Sequence, residues 1–239
     1  KRMTIEHPVL SVAQLQVVKD TTDRGWKAKT LDATFPATGS GQDGAKTLEQ
    51  YLENLCDEAS AAVQGEYGVE GFPILIISDR LAGPDRYPIP SLLAAGAVHQ
   101  HLIRTQQRSR TAILLECGDA KEVHDFASLV GFGADGVCPY MAYEALAKMN
   151  ADGLISAHAG GKQFTDAELI DNYTDAIGKG IRKVMSKMGI STLQSYKGAQ
   201  VFEAVGLNDD VIDMCFTGTD SRIKGTNFEA LFMDIQRFH

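Results

Sequence analysis

Two continuous apolar runs, Phe72-Pro73-Ile74-Leu75-Ile76-Ile77 and Ala112-Ile113-Leu114-Leu115, each end in polar residues, Ser78-Asp79 and Glu116. Strands covered by helices on both sides of a parallel sheet read this way. Around them the apolar spacing switches to the helical period. Leu48, Leu52, Leu55, Ala59 and Ala62 form a stripe along residues 47–64. Leu92, Leu93, Ala95, Gly96, His99 and Ile103 form another along residues 91–107, where Ser91 is the expected cap. Residues 121–130 repeat the helical pattern, Gly136-Val137-Cys138 reads as a third, shorter strand, and Pro139 opens a further helix. Ahead of this core, Ser11 before Val12-Ala13-Gln14-Leu15 predicts an N-capped helix, and residues 26–35 predict one strand, closed by Pro36 and a glycine-rich loop. Strand and helix thus alternate three or four times. The pattern predicts an α/β fold with a mostly parallel sheet, helices on both faces and right-handed crossovers, built from Rossmann-like or partial-barrel βα repeats.

Punctuation fixes the rest. Residues 65–71 carry three glycines and read as a break, and residues 81–90 hold three prolines and read as a loop. Residues 150–165 lack periodicity and read as a mobile surface loop. Thr165-Asp166-Ala167-Glu168 has the form of a capping box, in which Thr165 accepts a backbone hydrogen bond and Glu168 reaches back. The helix it opens is expected to run through Gly178 and Gly180 to Met188. Each glycine costs about 1 kcal/mol relative to alanine there, so close packing against a neighbour is expected. Lys183 and Lys187 sit in the last turn and Gly189 can take positive φ. Residues 190–196 then read as a short strand, Lys197-Gly198-Ala199-Gln200 as the opening of a helix, and residues 211–216 and 228–238 as closing helices. The plan divides into opening helices and an edge strand (1–70), a βα core (71–150), and a helix-strand-helix closing part (165–239).

The chain has 239 residues and a net charge of −8, and its Lys and Arg cluster only around 104–110 and 182–187, which argues against a nucleic-acid surface. No apolar run approaches the roughly 18 to 20 residues of a membrane span. Lys1 begins without a charged-then-apolar leader, which suggests an excised piece of a longer, non-secreted polypeptide. Cys56, Cys117, Cys138 and Cys215 lie far apart without close pairs, as expected of reduced core thiols in a reducing compartment.

Candidate chemistry is sparse. His99 and His101 are two apart on a predicted helix and point in different directions, so a metal would need His124 from another helix as well. Asp79 and Arg80 end one buried strand and Glu116 ends the next, the place where open α/β sheets bind ligands. Two such carboxylates could serve acid–base chemistry. Helix capping, or pairing with Arg80 and Lys121, is the commoner use. No Gly-x-Ser-x-Gly elbow, Walker motif or dinucleotide fingerprint is present. Gly131-Phe132-Gly133-Ala134-Asp135 follows a helix and precedes a strand, the reverse of a cofactor loop, and Gly218-Thr219-Asp220-Ser221-Arg222 reads as a bare polar turn.

The run from Lys183 to Leu207, with Ser186-Lys187-Met188-Gly189-Ile190-Ser191-Thr192, Gln194-Ser195-Tyr196 and Phe202-Glu203-Ala204, resembles a signature of the glutamate synthases. Ile76-Ile77-Ser78-Asp79-Arg80, Pro90-Ser91-Leu92-Leu93-Ala94, residues 97–103, residues 131–135 and Pro139-Tyr140-Met141-Ala142 resemble the central region of those polypeptides, in the same order. Cys138 before Pro139-Tyr140 resembles the eukaryotic NADH-dependent type. The resemblance implies a central domain of an enzyme that forms glutamate from glutamine and 2-oxoglutarate, in the cytoplasm or a plastid. It implies no catalytic, cofactor or metal residue in this chain, with FMN and an iron–sulfur cluster held elsewhere in the enzyme. The implied partners are the glutaminase and FMN-barrel domains of the same polypeptide. Ser78, Asp79, Arg80, Ser186, Lys187, Ser191, Thr192, Gln194 and Tyr196 are then candidates for interdomain contacts or for the side of an ammonia route. The alternative from the residues alone is a free-standing flavin- or phosphate-binding α/β enzyme using Asp79, Glu116 and Lys187; a pure docking module is a third reading.

Overall fold

A computed structural model describes residues 3–65 and 70–239, so the centre of the break expected at 65–71 lies outside the described residues. Ser11 caps α1 (Val12–Asp20): its hydroxyl accepts the Gln14 N–H at 3.2 Å and Gln14 Oε1 accepts the Ser11 N–H at 2.9 Å. The extended stretch 26–35 divides at Ala33 into β1 (Ala28–Asp32) and β2 (Thr34–Pro36), which enter different sheets. Helix α2 (Gly41–Gln64) and strand β3 (Ile74–Ser78) follow. The predicted loop 81–90 contains β4 (Arg86–Pro88), which pairs antiparallel with β2, Phe35 opposite Tyr87. Then come α3 (Ser91–Arg104), β5 (Ala112–Glu116), α4 (Val123–Gly131), β6 (Gly136–Cys138) and α5 (Tyr140–Ala151).

Strands β1, β3, β5 and β6 form a parallel sheet in that order, with Asp32, Ser78, Glu116 and Cys138 in register along its C-terminal edge. Each strand lies beside the one before it, so right-handed crossovers place α2, α3 and α4 on one face. Lys29 marks that face through its pair with Glu58 of α2 at 3.4 Å. The opposite face is covered by the N-terminal arm and α1: Gly136 lies under Ile5 and Leu10, and Lys19 reaches Glu116. Leu31, Leu75, Ile76, Ile77, Ile113, Leu115 and Val137 are buried in the sheet. The expected fold class, a parallel sheet with helices on both faces, is the one observed.

The closing part adds an outer layer. After the short α6 (Leu154–His158), which occupies part of the predicted loop 150–165, Thr165 and Glu168 make the predicted capping box of α7 (Asp166–Lys187). Helix α7 packs on α4 and α5. Its two glycines lie against neighbours as expected, since a Cβ on Gly178 would fall 1.9 Å from His7 Nε2 and one on Gly180 would fall 2.3 Å from Val123 Cγ2. Residues 190–196 are not a strand. Thr192 accepts from the Ser195 N–H and caps α8 (Leu193–Tyr196), because a Thr followed by free N–H groups is a better cap than a strand residue. Residues 197–200 do not open a helix either: Gly198 (φ +71°) and Gln200 (φ +55°) are left-handed, and the Gly198 N–H is taken by the Gly131 carbonyl. Helices α9 (Asp209–Cys215) and α10 (Phe228–Phe238) then pack on α3 and α2.

Ser91 is the first residue of α3 rather than its side-chain cap. Its N–H and hydroxyl both donate to Asp119, at 2.9 and 2.6 Å, so the carboxylate at the helix N-terminus comes from the loop after β5. Gly96 in the middle of α3 lets α9 approach, since a Cβ there would sit 2.4 Å from the Cys215 carbonyl oxygen. Gly96→Ala should therefore lower stability by about 1–2 kcal/mol despite the better helix propensity of alanine, because overpacking against backbone costs more than propensity returns. Urea unfolding of the variant measures it, and a gain in stability would contradict the close approach.

Candidate functional site

The C-terminal edge of the sheet gathers Ser78, Asp79, Arg80 and Glu116, because β3 and β5 end in register there. Glu116 is buried and saturated. Its Oε2 accepts from Lys19 Nζ and from Ser78 Oγ, each at 2.7 Å, and its Oε1 faces Arg80 Nε at 3.4 Å. Arg80 also donates to Glu144 at 3.0 Å and lies 4.0 Å over the ring of Tyr140 at the start of α5. Burial alone would raise the Glu116 pKa, but Lys19, Ser78 and Arg80 outweigh it and hold the carboxyl below its ordinary value. The expected ion pair with Arg80 is present. Lys19 of α1 stands where Lys121 was expected, because α1 crosses this face and the Lys121 N–H instead donates to Asp125.

Asp79 is buried beside this network. Its Oδ2 accepts the Gly118 N–H at 2.8 Å, while Oδ1 has no hydrogen-bond partner among the described residues. Burial pushes its pKa up to about 6, against the Gly118 N–H and the Tyr140 hydroxyl, which favour the ionised form. A third cluster completes the edge: Arg86 of β4 donates to Asp32 Oδ2 at 2.7 Å and to Thr34 Oγ1 at 2.7 Å.

The other candidates lie at the opposite end. Lys187 and Ser186 end α7 on the surface, where Ser186 Oγ donates to the Arg182 carbonyl. Ser191 and Thr192 are exposed, and Tyr196 is fully buried with its hydroxyl donating to the Ala127 carbonyl at 2.9 Å. Gln194 lines a cleft of about 770 Å³ at the N-terminal end of the sheet with Trp26, His99, Arg108, Asp135 and Lys197. Asp135 ties this end together, pairing with Lys197, with Arg108 at 3.0 Å and with the Ile113 N–H at 2.9 Å. Arg108 Nε donates to His99 Nδ1 at 2.8 Å, and burial first, then Arg108, hold His99 neutral with a pKa lowered to about 4. The structure therefore separates the nine candidates into two groups. The set Asp79, Glu116 and Lys187 required by the flavin- or phosphate-enzyme reading does not converge, because Lys187 belongs to the far group.

Sequence reading missed Lys19, Asp32, Arg86, Arg108 and Asp135. Only Asp135, a carboxylate after a glycine turn and before a strand, carried a local signal. The four cysteines are buried free thiols, and among the described residues no group of three or more His, Cys, Asp or Glu could hold a metal.

The ordered parallel sheet, its C-terminal edge held by the pairs of Glu116 with Lys19 and Arg80 and of Asp32 with Arg86, places the chain among layered α/β domains. A sequence model described as the glutamate synthase central domain matches residues 1–208, and the chain belongs to that family. It is 43% identical over 242 residues to the glutamate synthase [NADH] of Schizosaccharomyces pombe, covering all of this chain and 11% of that protein. The corresponding enzyme of Saccharomyces cerevisiae is 42% identical, with 100% and 11% covered, and the glutamate synthase [NADPH] large chain of Bacillus subtilis is 39% identical, with 100% and 14% covered. The chain thus spans between 11 and 14% of the length of these relatives. Among solved structures, a flavocytochrome b2 variant with sulfite bound aligns with 87% of this chain and 45% of its own, at 12% identity and a TM-score of 0.41. Among the described residues no helix is long and apolar enough to cross a membrane.

Proposed function

We propose that this chain is the non-catalytic connecting part of a glutamate synthase, which forms glutamate from glutamine and 2-oxoglutarate, with NADH as the electron donor. It links a glutaminase domain to an FMN-binding synthase domain in one polypeptide and forms one side of the route by which ammonia passes between them. The observation that carries this reading is the saturated Glu116: a carboxylate engaged by Lys19, Ser78 and Arg80 fixes α1, β3 and β5 to one another and is itself fully committed to structure. A rigid spacer needs that arrangement. Its neighbours must hold a set distance, and an ammonia molecule protonated on the way is no longer a nucleophile. The two exposed groups of candidates, Arg80 at one end and Ser186, Lys187, Ser191, Thr192 and Gln194 at the other, suit contacts with two different neighbours. The match to NADH enzymes at 43 and 42% identity supports that donor. Four buried free thiols support a reducing compartment, cytoplasm or plastid.

The test is made in the full polypeptide. Arg80→Ala and Lys187→Ala should each leave glutamine hydrolysis and synthesis from added ammonia within about twofold of the parent, while lowering the glutamate formed per glutamine hydrolysed severalfold. A yield unchanged in both variants would remove the connecting role.

A further inference from the structure

Residues 209–239 lie beyond the match to the central-domain family, although the relatives match this chain along its whole length. They nevertheless dock closely on the core. Phe232 of α10 packs over Gly44 of α2, where a Cβ would stand 2.1 Å from the ring, and Phe216 at the end of α9 packs over Gly96 of α3 at 2.9 Å from such a Cβ. Phe232, Phe216, Val211 and Cys215 are buried there. Both seats are glycines on the outer face of the crossover helices, so the depth of docking is set by the absence of two side chains.

The far end of α10 reaches the C-terminal edge of the sheet. The Phe232 and Tyr87 rings meet edge-on at 6.1 Å, the His239 ring stands 4.8 Å from Tyr87, and His239 Nε2 lies 2.9 Å from the Gly83 carbonyl. Tyr87 belongs to β4, and its neighbour Arg86 holds Asp32 and Thr34. The same loop begins at Asp79, whose carbonyl accepts the Ala82 N–H at 2.9 Å. A continuous set of contacts therefore runs from α10 through Tyr87 and Gly83 to the residues at the sheet edge.

We propose that residues 209–239 form a strap, separable from the central-domain core, whose seating on Gly44 and Gly96 fixes the loop 79–90 and so positions Arg80 and Arg86 at the C-terminal edge. This deepens the connecting role and rests on it, since that edge is one of the two faces assigned to a neighbouring domain. The partner of the α2–α3 outer face is this segment, and the strap couples its own position to the contact surface at the strand ends. The core keeps its strands paired whether or not the strap is seated, because β3 and β5 are held by Glu116 and by burial that does not involve α10.

Hydrogen exchange on the 239-residue chain tests this apart from any enzyme assay, so its failure leaves the connecting role standing. Gly44→Val should speed exchange at least tenfold throughout α10 and at residues 81–88, with β3 and β5 as protected as in the parent. His239→Ala removes only the tether, and should speed exchange at residues 81–88 with α10 unchanged. Faster exchange in α10 with residues 81–88 still protected would overturn the coupling. Loss of protection spreading into β3 and β5 in Gly44→Val would overturn the separability, and an unaltered loop in His239→Ala would overturn the path through Gly83.

Discussion

Glu116→Ala should destabilise the chain by about 3 kcal/mol, more than any single exposed ion pair could account for, because it strips a buried carboxylate from three donors at once. The Glu116 side chain is 5% exposed, while Lys19 and Arg80 are 25% and 36% exposed. The two cations recover part of their hydration in the variant, which keeps the loss at the lower end of the range for broken buried pairs. Ser78 does not: it is buried, and its hydroxyl loses its acceptor. Thermal unfolding should show a fall of roughly 6–12 °C, taking about 2–4 °C per kcal/mol for a domain of this size. The pH dependence follows from the depressed pKa. A carboxyl held below its ordinary value contributes stability above that value and loses it as pH falls through the folded pKa, so parent and variant should converge as the pH is taken below the ordinary carboxylate range. A variant within 1 kcal/mol of the parent at neutral pH would mean that the network holds nothing together, and the spacer argument would go with it.

How far the sequence discloses this arrangement depends on the range of the interaction concerned. Buried strands announce themselves because every position along Ile74–Ser78 and Ile113–Glu116 is covered, and the capping box at Thr165 is a four-residue event. Helices over 47–64 and 166–187 are legible for the same reason, through stripes that repeat over several turns, whereas the expected glycine-rich loop is in fact the first turn of α2, which begins at Gly41 because Gly44 must sit under the Phe232 ring. Residues 190–200 depart from the strand and helix opening that the local pattern predicts because their conformation is set from outside. Tyr196 is drawn to the Ala127 carbonyl and Gly198 to the Gly131 carbonyl, contacts that no local pattern encodes. The β2–β4 ribbon was missed for a related reason: three-residue strands are too short for alternation to show, and Pro36 and Pro88 both read as breakers. The site divides the same way. Asp79, Arg80 and Glu116 were found because strand ends are predictable from the apolar runs they close. Lys19 and Arg86, which complete the network, come from a helix and a ribbon whose placement depends on the whole sheet. That residues 186–196 and residues 78–80 lie at different ends of the sheet is likewise illegible locally: the first group follows a helix that runs to the N-terminal end of the strands, away from the second.

Asp79→Asn should give the second large effect, and with the opposite sign to Glu116→Ala at neutral pH. Burial raises the Asp79 pKa from 3.8 to about 6, and Oδ1 finds no partner among the described residues, so the ionised form is a burden to the folded chain. Between the two pKa values the native state holds a proton that the unfolded chain has released, so stability falls as pH rises through this window. A shift of about two units corresponds to about 3 kcal/mol at most. Asparagine removes the charge in a similar shape, so the variant should be more stable than the parent at pH 8, by up to that amount, and should lose this advantage by about pH 4. His99 works in the other direction. Its pKa is lowered to about 4, first by burial and then by Arg108, so its neutral form favours folding above about 6.5 and that contribution is lost as pH falls. In the parent the two groups oppose each other between about pH 4 and 6, and the stability curve should be nearly level there. In the Asp79→Asn variant only His99 remains, and the curve should fall on acidification. Urea unfolding at pH 8, 6 and 4.5 separates the cases: a variant and parent that differ by the same amount at all three values would show that Asp79 does not change its charge in that range, and the unpartnered oxygen would have to be stabilised by a donor.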